Sequence, residues 1–445
     1  MVLKNVLQEI ESEYAVESII LSDGTPVWPL LRQAIYFKIQ QKKVQYSNKL
    51  RTRNKKQLLK NFFYGFPHVF QLKKFQFIFF NNTDKRVLIN NTYFDIFQDA
   101  WADKVGQRKS FFIEWAKQAH LPKDRVHSEN VTSDLPFKLV VGIVSKFKTI
   151  SIKNEHLLKE ILTQQGISFD YSKELKSKLA EISVFSRLFK IMEPKAIFVL
   201  SSFTKIGVVR AAKQLAIPVF EPQHGFIGDT HPFYHALKKF PDFYPDVLLS
   251  FGASEKIINK RTLVFSSENI IPTGSLQLDL VQERALPDKL KELKAKYRLL
   301  FCVTLQAIKD KEILSWVEGQ AKSNKDWLFI VKPKQPNFTL SLYTSTANVI
   351  TLSEISTYDV LKASDYNITI FSTTVIEGIF LKAKPLLYNV DDLPKKYFDL
   401  STSTIALINN GEPITEKHLD KKGNFTTPYF VSGYFKNVES ASLCF

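Results

Sequence analysis

Three hydroxyl side chains in a row, Ser372-Thr373-Thr374, follow an apolar run at 367–371 and precede a helical pattern at 375–381. Where a strand hands over to a helix, the first-turn N–H groups lack intrahelical partners and the helix dipole is positive. A phosphate placed there would meet backbone and hydroxyl donors together. Glu377 lies three and four residues after Thr374 and Thr373, on the same side of that turn. A carboxylate in this position can accept both hydroxyls of a ribose. The same residues also spell an ordinary N-cap with a capping-box glutamate.

A second constellation, running from Glu221 through Gln223-His224-Gly225 to Asp229 and His231-Pro232, follows a strand pattern at 217–220. Open α/β sheets bind ligands at the carboxyl ends of their strands. His224 can serve there as general base or as a cationic phosphate partner, with Gln223 and Asp229 as accompanying catalytic candidates. Gly225 and Gly228 permit close backbone approach. His231 reads as structural and His235 as a surface residue. Lys332-Pro333-Lys334-Gln335-Pro336 makes a stiff cationic loop after the strand pattern at 327–331, and Thr304 and Gln306 close the one at 299–304. Gly274 supplies a tight turn and Ser275 a cap for the helix that follows. No Walker-type phosphate loop, dinucleotide glycine fingerprint, zinc-protease motif or serine-hydrolase elbow is present. No metal site or resident cofactor is expected.

The elements that must position these groups alternate. Strand patterns at 196–200 and 217–220 flank a helix at 204–215. Another series runs strand 299–304, helix 311–323, strand 327–331, strand 348–352, helix 357–362, strand 367–371, helix 375–381 and strand 385–388. Alternation of this kind implies parallel α/β sheets. A charged helical stretch at 276–296 separates the series. The expected fold is two Rossmann-like domains, 1–275 and 276–445, facing a cleft.

The 445 residues are 44% hydrophobic and 24% charged, ordinary for a globular protein. Two cysteines exclude a disulfide framework, and no apolar run reaches the ~18–20 residues of a membrane span. The first residues lack a signal-peptide core, so a cytoplasmic location is expected. The formal charge is +17, and most of it comes from an acid-free, aromatic-rich segment, 24–83, with twelve cations. Such a segment suits the anionic inner face of a membrane, to which the protein would bind peripherally.

In order, these segments resemble the GT-B glycosyltransferases of bacterial capsule and lipopolysaccharide synthesis, including Kdo and sialic acid transferases. The matching features are Gln223-His224-Gly225, the Gly274-Ser275 turn, the Lys332–Pro336 loop, and Ser372-Thr373-Thr374 with Glu377-Gly378 and Ala383-Lys384-Pro385. Val27-Trp28-Pro29-Leu30-Leu31-Arg32 also looks like a recurring feature of such proteins. The resemblance covers roughly 195–389. It implies a metal-independent transferase that moves a sugar from a nucleotide sugar to a lipid-linked glycan. Lys332, Lys334, Ser372, Thr373, Thr374, Glu377, Thr304 and Gln306 would hold the nucleotide. The family's Lys-Pro-His-Pro histidine is missing, replaced by Lys334-Gln335, which leaves CMP-, UDP- and GDP-sugars open. Rival readings are a nucleotide-sugar epimerase or a glycerol-phosphate-type polymerase on the same fold. A nucleic-acid-binding protein is the rival of another class, although nucleic acid is not the expected partner.

Overall fold

The structure is a computed structural model. It describes residues 5–43, 55–228, 231–257, 261–334, 338–398, 400 and 403–443, and only the backbone of Lys42 and Lys43. The chain forms two compact units. The larger runs to Phe251, takes in Glu255–Thr273 and is completed by the chain from Phe435; the smaller is Gly274–Tyr434 with Gly252–Ser254. The segment from Phe435 was expected to stay with the second domain. Instead, Phe435 packs edge-on against Phe94, and the Lys104 ammonium donates to the carbonyls of Val438, Glu439 and Ala441.

The larger unit is built on seven parallel strands: β1 (Phe77–Asn82), β2 (Ser110–Trp115), β3 (Val131–Ser133), β4 (Ala196–Val199), β5 (Val219–Pro222), β6 (Val247–Ser250) and β7 (Ile270–Pro272). Their order is β7-β6-β5-β4-β1-β2-β3. The smaller unit has six: β8 (Leu299–Thr304), β9 (Trp327–Lys332), β10 (Val349–Thr351), β11 (Tyr366–Thr369), β12 (Lys384–Asn389) and β13 (Ala406–Asn409), in the order β10-β9-β8-β11-β12-β13. All pairings are parallel. Both orders are doubly wound, with the chain reversing direction between β1 and β4 and between β8 and β11. That reversal opens a crevice at the carboxyl ends of those two strands, where such sheets take ligands.

Phenylalanine decides the strand register. Phe79 pairs with Phe112 on one side and Phe198 on the other, and Phe198 pairs with Phe220. Their rings stack across four strands at 4.7, 4.6 and 5.1 Å between centroids. A matching row, Phe329, Phe301 and Tyr366, crosses β9, β8 and β11 at 4.8 and 5.2 Å. Phe75, Phe77, Phe79 and Phe80, in the aromatic half of 24–83, are core residues on and beside a strand, as the strand pattern at 75–80 implies, and not membrane anchors. Of the cations of this segment, Arg32 is buried, while Lys55, Lys60, Lys73 and Lys74 are exposed. Residues 44–54 lie outside the described residues.

The helical stretch expected at 276–296 is two helices, α1 (Leu276–Glu283) and α2 (Asp288–Lys296), with Pro287 as the N-cap of the second. Proline is tolerated at a helix start and not in its interior. Among the described residues, no helix is long and apolar enough to cross a membrane.

Phe79→Ala should lower the stability of the larger unit by about 3–5 kcal/mol, as truncation of a buried aromatic does. Phe70→Ala, at an exposed ring, should change it by less than about 0.5 kcal/mol. Urea denaturation of both variants against wild type checks this.

Candidate functional site

In the larger unit, the side chains converge where β1 and β4 part. Ser201, two residues beyond β4, has φ +56°, a left-handed backbone unusual for serine. Strain of this kind costs about 1–3 kcal/mol and collects at functional sites. Its hydroxyl is 3.0 Å from His224 Nε2. The other ring nitrogen, Nδ1, is buried with no protein partner. Burial, with the nearby charge of Lys85, lowers His224 to about 4. The imidazole is therefore neutral at pH 7. It can accept a proton or a hydrogen bond, and it does not supply the fixed positive charge that one expectation allowed.

Glu221, on β5, opens the constellation read from the sequence but was given no chemical role there. Its carboxyl is fully buried and accepts from the Ser202 amide (3.0 Å), the Ser202 hydroxyl (2.6 Å) and the Tyr234 hydroxyl (2.7 Å). Burial raises it to about 7. The signal was available: Ser201-Ser202 are hydroxyls directly after an apolar strand, the same pattern as Ser372-Thr373. His231 is lowered to about 3, chiefly by burial and then by His224, His235 and Arg32. The Phe203 ring lies 6.2 Å from both His224 and His231.

Other expectations change. Gln223 is structural, since its amide donates to Gly225 O and to buried Glu255, and its carbonyl accepts from Phe251 N. His235 is fully buried rather than at the surface, bonded to Thr262 Oγ1 (2.8 Å) and Gly228 O (2.7 Å). Gly228 is required, with φ +53° and the Phe226 ring 2.5 Å from where a Cβ would stand; Gly225 has open space there. Asp229 lies outside the described residues.

The loop carrying these histidines is held from the N-terminus. Buried Glu11 accepts from Trp28 Nε1 (3.0 Å), Arg32 Nε (2.7 Å) and the Leu237 amide (2.6 Å). Arg32 in turn donates to the carbonyls of Pro232 and His235. The Trp28…Arg32 motif is thus a clamp on residues 232–237.

In the smaller unit, the β8/β11 crevice gathers most of the residues expected to hold a nucleotide. Thr304 Oγ1 is 2.7 Å from Thr374 Oγ1, the Gln306 side chain accepts from the Phe371 amide, and Asn367 Nδ2 donates to Thr374 O. Ser372 is half-buried and Thr373 exposed. The first-turn amides of the helix Thr374–Phe380 are not free as expected. Thr374 N reaches Ser372 Oγ, Val375 N reaches Ser372 O, and Ile376 N and Glu377 N reach Thr373 O. Glu377 accepts from the Tyr358 hydroxyl at 3.2 Å, and burial raises its carboxyl to about 7.

Lys332 is also corrected. Its ammonium is buried and donates to Leu352 O and Ile355 O, both at 2.6 Å, so it ties β9 to the following loop. Lys334 is exposed, and Gln335 and Pro336 lie outside the described residues. Gly274 has φ +91°. Ser275 caps α1 through its carbonyl, which accepts from Leu278 N and Asp279 N, with no side-chain cap bond.

No protein-family model matches the chain, and no curated protein matches it in sequence. Solved structures similar to it include the UDP-GlcNAc 2-epimerase of Neisseria meningitidis bound to UDP-GlcNAc, with 14% identity and a TM-score of 0.45, covering 81% of this chain and 97% of that one. The UDP-GlcNAc 2-epimerase of Methanocaldococcus jannaschii is 12% identical over 82% of this chain and 97% of its own, with a TM-score of 0.44. The calicheamicin glycosyltransferase CalG4 is 10% identical over 82% of this chain and 92% of its own, with a TM-score of 0.42. At these scores the likenesses carry no argument about chemistry, and the two Rossmann-like units stand on their own strand orders.

The depressed His224 predicts a pH signature. The unfolded chain takes up a proton near pH 6.5 and the folded chain only near 4, so stability falls as pH drops through that window. His224→Gln cannot take up that proton. Its stability relative to wild type should rise by roughly 2–3 kcal/mol between pH 7 and pH 4 and level off below. Denaturation curves across that range check the sign.

Proposed function

We propose that the chain is a glycosyltransferase that moves a sugar from a nucleotide sugar to a membrane-associated glycolipid or polysaccharide acceptor. The observation that carries this reading is the hydroxyl and carboxyl cluster of Thr304, Thr374 and Glu377 at the reversal point of a doubly wound sheet. A nucleotide bound there would set its ribose hydroxyls toward Glu377. Ser372, Thr373 and the exposed Lys334 are the donors for its phosphate.

In the larger unit, neutral His224 is a group able to take a proton from an acceptor hydroxyl. In the transfer, the acceptor hydroxyl attacks the anomeric carbon and gives up its proton to a base. The bond from that carbon to the phosphate oxygen breaks, and the nucleotide leaves with the bonding pair. Lys334 offsets the charge that develops on it. Ser201 orients the imidazole through Nε2, and the buried Nδ1 has no protein partner.

A panel of CMP, UDP, GDP and CDP should identify one nucleotide that raises the melting temperature. A ligand at 100 times its dissociation constant adds about 2.7 kcal/mol. Thr373→Val with Glu377→Ala should weaken that nucleotide at least about tenfold by calorimetry, since bonds to such groups contribute roughly 1.5–3 kcal/mol. His224→Ala should lower kcat more than it weakens donor binding. An isomerised sugar formed from donor alone would give the site to an epimerase.

A further inference from the structure

The helix Leu135–Lys146 is apolar on the side it shows to solvent. Leu139, Val140, Ile143 and Phe147 are all exposed, Phe147 by 80%. Their spacing of one, four and eight residues forms a single stripe. The helix Lys55–Phe62 packs beside it and exposes Leu58 and Leu59. Phe63 and Phe70 extend the apolar surface at 55% and 78% exposure, joined through the ring of Phe66. Large exposed apolar side chains gathered in this way mark a binding surface.

The two stretches that carry these apolar side chains hold no acidic residue: from Leu135 to Asn154 the sequence has none, and 24–83 has none either. These two stretches meet on this face. Lys55, Lys60, Lys73, Lys74 and Lys146 are exposed on it; Lys138 is paired with Asp134 at 2.6 Å.

We propose that this face docks on an anionic lipid bilayer, with Leu139, Ile143 and Phe147 seated among the acyl chains and the lysines at the headgroups. Both halves of the surface are used only by such a partner. A second copy docked face to face would set lysine against lysine. A nucleic acid would satisfy the lysines, but its bases stack on aromatic rings and gain little from Leu, Val and Ile. The proposal moves the membrane contact away from Phe75–Phe80, which are core, to a helix that the sequence pattern had not singled out. It goes beyond the transferase reading and does not depend on it.

The test is co-sedimentation of the full chain with vesicles of mixed phosphatidylglycerol and phosphatidylcholine, and with phosphatidylcholine alone, at low and high salt. Wild type should bind the anionic vesicles and release them as salt rises. Ile143→Ser with Phe147→Ser should weaken binding at least about tenfold, because each buried side chain adds a transfer term. Lys60→Gln and Lys146→Gln should each weaken it about fivefold. These are surface changes, so melting temperature and nucleotide-induced stabilisation should match wild type.

Failure of wild type to bind anionic vesicles at low salt overturns the proposal. So does an Ile143/Phe147 variant that binds as well as wild type. Self-association or nucleic-acid binding that disappears in that variant, without vesicle binding, gives the face to another partner and also overturns it. Vesicle binding in a chain that no nucleotide stabilises would sink the transferase reading and leave this one standing.

Discussion

Every site residue in this protein depends on the parallel register of its two sheets, and stacked aromatic rings set that register. A parallel ladder has evenly spaced bonds and no hairpin to count residues for it. A slip by one residue would turn Phe79, Phe112, Phe198 and Phe220 off their shared face. Each offset-stacked pair adds about 0.5–1.5 kcal/mol beyond burial, so three pairs in one row penalise the slip strongly. With the register set, Val199 at the end of β4 lies opposite Phe80, and Lys85, Ser201 and His224 come out at the same edge. The row through Phe301 does the same for Thr304 and the turn at Ser372.

A second layer of constraint is polar. An antiparallel hairpin, Arg86–Ile89 with Thr92–Asp95, follows β1 and is tied down by Arg86, fully buried between Glu114 (2.6 Å) and Asp99 (3.1 Å), with Asn81 bonded to Asp95 and Glu114. Removing one member of such a set strands a buried charge, which is worth about 3–5 kcal/mol of stability. The hairpin therefore holds still, and Lys85 with it. On the other side of the crevice, Glu11 and Arg32 clamp the loop of His231 and His235. His224 stays neutral because burial, and then the charge of Lys85, disfavours its protonated form.

Much of the fold was legible along the chain. Runs such as Leu299–Thr304 and Trp327–Lys332 are apolar on both faces, as strands covered on both sides must be. The hydroxyls after β11 and the loop after β5 stood out because strand ends are where parallel sheets do chemistry. Ser201 obeyed the same rule but lacked a conspicuous neighbour, and Glu221 was overshadowed by His224 three residues on. β2, β3, β7 and β13 were missed, although Phe111-Phe112-Ile113 of β2 is as apolar as the strands that were read. The aromatics of β1 read both as a strand and as part of a membrane-facing segment, because a lysine-rich stretch precedes them and period alone cannot separate a buried strand from a surface anchor.

The sequence by itself determined the alternation of strands and helices, the glycine turn at 274 and the hydroxyls at the strand ends, since these follow from local pattern and backbone sterics. Only the tertiary structure decided which polar groups remain available. Lys332 and Gln223 are spent on backbone carbonyls and buried partners, and so are the amides of the first turn after Thr373. Glu221, Glu377 and His224 are left in dry surroundings that favour their neutral forms. Desolvation and partner choice arise when distant segments meet. A residue's type states what it can do, and its burial and partners decide whether it does.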